Sequence, residues 1–348
     1  MNLVPNRFHK DFQLNGFSFT SVDEILTYTK GFSDEIYQFL NDWFSNEDCI
    51  YVQTSGSTGT PKKIQILKQQ MINSALATGN FFHTKEKSTA LLCLSVNYIA
   101  GKMMLVRALI LGWSLDVVKT NSFPLKGNKK EYDFTAMVPL QLENSIKKLK
   151  NIKKLIVGGG VVSASLQLKI QKSTCVVFAT YGMTETITHI AVKQLNNTTS
   201  KSNFYKVLPN VAIFKDVRNC LVIKALKVSD EVVFTNDVIN LISDNRFEWL
   251  GRFDNVINSG GIKLHPEKIE EKLSKIIKNR FFVIGVSDEK LGEKLILIIE
   301  GLHQYLDLKL AELSKFEMPK EIYFVDNFVE TETKKIQRKK TLDLISIL

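Results

Sequence analysis

The sequence predicts an α/β fold. A large N-terminal domain (residues 1–250) would hold a mainly parallel, helix-covered sheet plus a β-rich subdomain, and a small C-terminal α+β domain (residues 251–348) would follow. Three observations predict this. At 348 residues the chain has the length of two domains. From residue 49 to near residue 200, short apolar runs alternate with helical stretches, the pattern of a parallel sheet covered by helices. From residue 204 the apolar runs follow one another through polar turns, the pattern of antiparallel strands.

Residues 1–48 read as a helical lead-in. Ser21 and Glu24 stand three apart, a capping box in which each side chain satisfies the other's free amide. Ile36, Phe39, Leu40, Trp43 and Phe44 recur at helical spacing and form one apolar face. Strands are then expected at Ile50–Val52, Ala90–Leu94, Leu115–Val118, Thr135–Val138, Leu155–Val157 and Cys175–Ala179. Helices are expected near 67–82, 101–111, 140–149 and 163–171. The β-rich stretch supplies Val211–Phe214, Leu221–Ile223, Val232–Phe234, Val238–Ile242 and Phe247–Leu250. Beyond it, Pro266 opens a helix with Ile269, Leu273, Ile276 and Ile277 on one face. The last strands are expected at Phe281–Val286, Leu295–Ile299 and Ile322–Val325.

Composition is that of an ordinary soluble globular protein, 44% apolar and 24% charged. No apolar run approaches the ~18 residues needed to span a bilayer. The first seven residues lack the apolar core of a signal peptide, so a cytoplasmic location is expected. Cys49, Cys93, Cys175 and Cys220 are scattered, each in or beside an apolar run, and read as buried thiols in a reducing cytosol. A net charge of +10 favours anionic partners. The lysines are dispersed and no stacking or groove-reading motif accompanies them, so phosphates of small ligands are expected and nucleic acid is not.

The segment carrying the most chemistry is Thr54-Ser55-Gly56-Ser57-Thr58-Gly59-Thr60-Pro61-Lys62-Lys63. Its glycines let successive N–H groups converge, its hydroxyls add donors and its lysines add positive charge, a set suited to a polyphosphate. The spacing is not that of the Gly-x-x-x-x-Gly-Lys-Ser/Thr loop. Gly158-Gly159-Gly160 ends an apolar run and reads equally as a tight turn or as backbone that a flat ligand can approach. Further on stand Thr180-Tyr181-Gly182-Met183-Thr184-Glu185-Thr186, Thr235-Asn236-Asp237, Gly251-Arg252-Phe253-Asp254 and Thr331-Glu332-Thr333-Lys334-Lys335-Ile336-Gln337-Arg338.

In this order the segments resemble the motifs of the acyl-adenylate-forming superfamily, which includes acyl-CoA synthetases, peptide-synthetase adenylation domains and luciferases. The resemblance runs from about residue 49 to 340. It implies that Thr54, Ser55, Gly56, Ser57, Thr58, Gly59 and Lys62 hold phosphates of ATP. It implies that Tyr181 offers a flat face to adenine, Thr184 a hydroxyl to a phosphate and Glu185 the hard oxygen that Mg²⁺ prefers. Asp237 would hold the ribose hydroxyls, with Asn236 in place of the family's Gly, and Arg252 would contact the nucleotide. Asp254 would be the hinge of a mobile small domain, Ser259-Gly260-Gly261 would line the pantetheine arm of coenzyme A, and Lys335 would be the catalytic lysine. Lys334 replaces the usual Gly before it.

The acyl pocket implied by the resemblance takes in Tyr98, Lys102, Gly159, Gly160 and His189. Tyr98 stands where the family often has His, and Lys102 or Arg107 could pair with a second carboxylate, with Lys102 favoured at the helix mouth. The implied reaction joins a small-molecule carboxylate to coenzyme A through an acyl-AMP, with ATP and Mg²⁺. Within the superfamily the chain most resembles ligases that activate the aliphatic carboxylate of an aryl diacid in menaquinone synthesis. The other readings are a different acyl- or aryl-CoA ligase, a carrier-protein amino-acid adenylating enzyme, a non-catalytic relative and, from a different class, a basic nucleic-acid-binding protein.

Overall fold

Short apolar strands, with helices packed against them, organise a sheet of thirteen strands. The computed structural model describes residues 8–53, 63–198, 203–331 and 336–345. Thr54, Ser55, Gly56, Ser57, Thr58, Gly59, Lys62 and Lys335 lie outside the described residues.

The chain opens with a small hairpin, β1 (Gln13–Leu14) and β2 (Phe17–Ser18), turning at Asn15 and Gly16, both at positive φ. Helices α1 (Val22–Lys30) and α2 (Asp34–Phe44) follow. Ser21 caps α1 by accepting from the Glu24 N–H at 3.2 Å, while the Glu24 carboxylate reaches the Thr20 N–H at 2.7 Å, one residue earlier than a reciprocal box requires. The expected apolar face of α2 is buried throughout.

Strands β3 (Cys49–Gln53) and β4 (Lys63–Leu67) pair only with each other. This corrects the expectation that the Thr54 loop follows a strand of the parallel sheet. It joins the two arms of an antiparallel hairpin, whose last register pair is Gln53 with Lys63. Ile50 and Val52 are buried while Tyr51 faces out, so the run is a half-buried strand and can lie on the large sheet.

The alternation then proceeds as the sequence predicts. Its elements are α3 (Lys68–Phe82), β5 (Thr89–Leu92), α4 (Ile99–Leu111), β6 (Ser114–Val117), β7 (Tyr132–Met137), α5 (Pro139–Ser145), β8 (Ile152–Val157), α6 (Ala164–Ile170) and β9 (Val176–Gly182). Strands β6, β5, β7, β8 and β9 lie side by side in parallel. A 3₁₀ turn, Thr184–Thr186, leads to β10 (His189–Gln194), which reverses against β9.

Strands β11 (Tyr205–Val207), β12 (Ala212–Lys215), β13 (Cys220–Lys224), β14 (Val233–Ser243) and β15 (Arg246–Arg252) are antiparallel, as expected. They extend the same sheet in the order β12-β13-β14-β15-β11-β10-β9-β8-β7-β5-β6-β1-β2. The two strands expected around Thr235-Asn236-Asp237 are one strand, β14, and Asn236 is extended within it with no left-handed turn.

After a 3₁₀ turn (Phe253–Asn255) a second sheet begins. Its elements are β16 (Ile257–Ser259), β17 (Ile262–Leu264), α7 (Pro266–Leu273), β18 (Phe281–Asp288), β19 (Gly292–Glu300), β20 (Glu321–Val325) and α8 (Arg338–Leu342). Strand β19 pairs with β18 along its length, with β16 at Gly292 and in parallel with β20. This sheet has cores of its own, one around Ile257, Ile269, Leu273 and Leu297, another around Phe282, Ile296, Ile298 and Phe328. All four cysteines are free thiols, with Cys93, Cys175 and Cys220 buried. Among the described residues no helix is long and apolar enough to cross a membrane.

Helix α4 reaches the centre of the molecule because Gly101 lets it touch the preceding turn. A Cβ at Gly101 would fall 2.2 Å from the Ser95 carbonyl oxygen. The variant Gly101→Ala should lose about 2–4 kcal/mol of unfolding free energy in urea titrations; an unchanged midpoint would contradict this packing.

Candidate active site

Along the parallel strands of a sheet, polar groups can gather at the carboxyl ends, where the backbone leaves the ladder and chains diverge. Here β7, β8 and β9 end together. Val138 follows β7, Gly158-Gly159-Gly160 follows β8, and Thr180-Tyr181-Gly182 closes β9. Gly159 sits at φ +78°, a left-handed conformation that disfavours side chains, and a Cβ on Gly158 would lie 2.6 Å from the Thr180 hydroxyl. Gly159 and Gly160 are exposed at this edge.

The chain then makes a strained reversal. Ile187 has φ +66° and ψ −63°, and the Thr188 N–H donates to the Thr186 carbonyl at 2.7 Å, which defines a γ-turn with its central residue at positive φ. A β-branched residue there stores strain of the kind found at functional sites. The turn presents Thr184 and Glu185. Glu185 is exposed and makes no hydrogen bond or ion pair with another described residue.

Across the sheet, β14 and β15 deliver their own polar groups to β9. The Tyr181 hydroxyl donates to Asp237 Oδ2 at 2.6 Å, and the Trp249 indole N–H donates to Oδ1 at 3.0 Å. Arg252, register partner of Asp237, brings Nη1 to 3.7 Å of the same carboxylate. Its Nη2 lies 3.6 Å from Asp254, which also accepts from Asn236 Nδ2 at 3.3 Å. The Tyr181 ring is packed edge-on against Tyr205 and Phe247, at 5.7 and 5.2 Å. Burial and the Asp237 charge push the Tyr181 hydroxyl pKa far up, so it remains a donor. The carboxylate of Asp237 thus has a fixed orientation, with lone pairs to spare. Sequence reasoning brought Tyr181, Asp237, Arg252 and Asp254 together but missed Trp249, whose only signal is its place two residues before Gly251-Arg252.

A second polar group lies inside the large sheet's helical cover. Arg107 on α4 is fully enclosed, and its Nε donates to the Thr78 hydroxyl at 3.3 Å. No carboxylate among the described residues pairs with it, and burial pushes its pKa down to about 10. An enclosed cation without an anion costs several kcal/mol. Beside it is His189, also buried, whose Nε2 has no partner among the described residues. Burial first, and the Arg107 charge second, hold its pKa well below the usual imidazole value. The network continues through Thr78, Ser74 and Thr188, with Ser74 and Thr188 hydroxyls 3.0 Å apart.

The other expected pocket residues lie elsewhere. Lys102 faces α2, with Nζ 4.8 Å from the Phe39 ring centre and Glu35 and Asp42 nearby. Five residues from Arg107, it points about 140° around the helix. Tyr98 is exposed at the N-terminus of α4. The buried cation of this region is therefore Arg107, not the favoured Lys102.

Ser259-Gly260-Gly261 forms the hairpin tip between β16 and β17, with Gly260 and Gly261 at φ +57° and +80° in a two-residue turn. Between the two sheets a cleft of 460 Å³ is lined by Arg218, Asn240, Glu248, Phe253, Asn258 and His265, among others.

Strand ends, anchored carboxylate and second sheet together define an α/β protein whose polar side chains gather along one edge of its large sheet. A family model for AMP-binding enzymes matches residues 16–215, and the chain belongs to that family. It is 36% identical to an acyl-CoA synthetase (AMP-forming)/AMP-acid ligase II-like protein from Dyadobacter fermentans DSM 18053, with a TM-score of 0.62 over 90% of this chain and 94% of that one. It is 22% identical to the 2-succinylbenzoate–CoA ligase of Escherichia coli K12, the alignment covering 80% of this chain and 64% of that protein's length. The o-succinylbenzoate coenzyme A synthetase of Bacillus subtilis, in complex with its acyl-adenylate intermediate, shares the fold at a TM-score of 0.74 and 19% identity, over 92% of this chain and 80% of that one.

A histidine kept neutral by burial is an acid-side liability. Its folded pKa is below its unfolded pKa, so the unfolded state binds the extra proton first. Stability should fall as pH drops below about 6.5, by at most about 1.4 kcal/mol per pH unit from this residue. His189→Gln should flatten the slope between about pH 6.5 and 5 in urea unfolding series; an identical slope would place the imidazole in water.

Proposed function

We propose that this chain is an ATP-dependent, AMP-forming acyl-CoA ligase, and that its acid is an aryl dicarboxylate, o-succinylbenzoate, as in menaquinone biosynthesis. The reaction class is supported by family membership and by the polar junction around Asp237. The observation that carries the substrate reading is Arg107, enclosed without a carboxylate among the described residues and next to the unpartnered Nε2 of His189. A substrate with a second carboxylate would supply the missing anion. The names of the E. coli and B. subtilis proteins point to the same acid.

In the first half-reaction a carboxylate oxygen of the acid attacks the α-phosphorus of ATP. The bond from that phosphorus to the bridging oxygen breaks and pyrophosphate leaves. Residues Thr54 to Lys62 would hold the leaving phosphates, and Thr184 would add a hydroxyl. Asp237, oriented by Tyr181 and Trp249, would accept from the ribose hydroxyls, and Arg252 would face the nucleotide. Lys335 would neutralise charge between the carboxylate and the α-phosphate, the kind of positioning and charge compensation on which phosphoryl transfer depends. Mg²⁺, when bound, supplies further compensation of phosphate charge, and the exposed Glu185, with no described partner, is a hard-oxygen donor suited to it.

In the second half-reaction the sulfur of coenzyme A attacks the acyl carbonyl carbon. The bond from that carbon to the phosphate oxygen breaks, AMP leaves and the thiol proton passes to solvent. The second sheet would turn about Asp254 between the halves, withdrawing Lys335 and bringing the Gly260-Gly261 tip to the pantetheine path.

The test is pyrophosphate release across a panel of o-succinylbenzoate, benzoate, D-alanine, acetate and a long-chain fatty acid, with products identified by mass. Wild-type protein should turn over o-succinylbenzoate to a mono-CoA thioester. Arg107→Met should raise its KM about tenfold or more, the loss of a buried charge-assisted contact, with little effect on any residual benzoate turnover. Turnover of a different acid alone would discard the substrate, and no release with any acid would discard the activity.

A further inference from the structure

Helix α7 touches both the junction of the two sheets and Arg338, the first residue of α8. At the junction, Glu267 Oε1 accepts from Asn255 Nδ2 at 2.6 Å. Its other oxygen, Oε2, is buried with no partner among the described residues and lies over Gly251, where a Cβ would come within 2.2 Å of it. Gly251 has φ +147°, which only glycine adopts without strain. One turn along, Glu270 accepts from the Val283 N–H at 2.9 Å and takes the Arg338 guanidinium at 2.7 Å (Nη1 to Oε1) and 2.9 Å (Nη2 to Oε2). Arg338 Nη1 also donates to the Val283 carbonyl at 3.0 Å, and Nη2 lies 3.9 Å from Glu267 Oε1. One guanidinium therefore sits between two carboxylates on successive turns of α7.

Arg338 stands three residues after Lys335, and the base of that loop is closed. Ile336 bridges to Glu330, the Gln337 N–H donates to the Val329 carbonyl at 2.8 Å, and the Gln337 side chain donates to the Glu330 carbonyl at 3.0 Å. A displacement of Arg338 is thus passed with little slack to Ile336 and Gln337 and, through them, to Val329 and Glu330. Bidentate charge-assisted bonds set orientation as well as distance, and a buried carboxylate that loses its partner is costly.

We propose that Glu267, Glu270 and Arg338 are positioning residues that couple the sheet junction to the start of α8, three residues after Lys335. With Asn255 in place, Glu267 is held at the junction and Arg338 is left to Glu270. When the junction turns and Asn255 leaves, the nearest cation to Glu267 is Arg338, so the guanidinium is drawn toward the earlier turn and the start of α8 moves with it. One network then has two arrangements, biased from either end, and the coupling is reciprocal. The link to catalysis rests on the function proposed above; the coupling itself does not.

The test uses the full chain with two conservative variants, Arg338→Lys and Glu267→Asp, followed by hydrogen–deuterium exchange. Arg338→Lys should raise exchange at 251–256 as well as at 336–342, and Glu267→Asp should do the same from the other end, each by about fivefold or more. The amides of β19, in the centre of the second sheet, should not change, and if one variant fails to fold the other carries the test. Exchange that rises only around the altered residue in either variant overturns the proposal. In a second arm, Arg338→Lys should lower kcat for pyrophosphate release about tenfold with the KM for ATP nearly unchanged, and spare thioester formation from supplied acyl-adenylate. Equal loss in both half-reactions overturns the positioning role. Absence of pyrophosphate release by the wild-type protein would count against the proposed function alone, because the exchange arm still decides the coupling.

Discussion

The carboxylate of Asp237 is the group on which the site depends. Its two oxygens are taken by Tyr181 from the last parallel strand and by Trp249 from the antiparallel half, with Arg252 beside it. These bonds tie the two halves of one continuous sheet together at the point where the chain leaves for the second sheet. A buried carboxylate held by two neutral donors and a nearby guanidinium has little freedom to turn. It is therefore a preorganised acceptor, and the groups around it inherit their places from it.

The remaining constraints are ones of close approach. Gly101 brings α4 against its preceding turn, and so brings Arg107 inward. Gly182 lets β9 pass the Thr188 carbonyl, where a Cβ would meet the oxygen at 2.1 Å. The γ-turn at Ile187 then reverses the chain so that His189 falls opposite Gly182 in the ladder. Sheet, turn and helix thus bring Arg107 and His189 together in the interior.

Much of this could be read in the sequence, for physical reasons. Strands β5 to β9 and the helices between them follow from apolar periodicity, which tertiary packing does not override here. Tyr181, Asp237 and Arg252 were brought together by motif order, which no local pattern could do. The hairpin of β3 and β4 was misplaced because an apolar run reads the same whether its partner is a parallel neighbour or the strand that follows. Strand β14 was split because Thr235-Asn236-Asp237 has turn composition, yet its polar side chains are satisfied by Arg218, Leu221 and Tyr181 across the sheet. The position of Lys102 at a helix mouth is visible in sequence, whereas the enclosure of Arg107 is not. The signal available was an arginine alone in the apolar run from Met103 to Ile110, every member of which is buried.

The proposed role of Asp237 is to seat a ribose. It is tested most directly by calorimetric titration of AMP and of 2′,3′-dideoxy-AMP into the wild-type protein and into Asp237→Asn. If the carboxylate accepts from the ribose hydroxyls, removing them should weaken binding to the wild-type protein by roughly 10- to 100-fold, and should matter far less to the variant. An equal loss in both proteins, or no loss in the wild-type protein, would contradict the account.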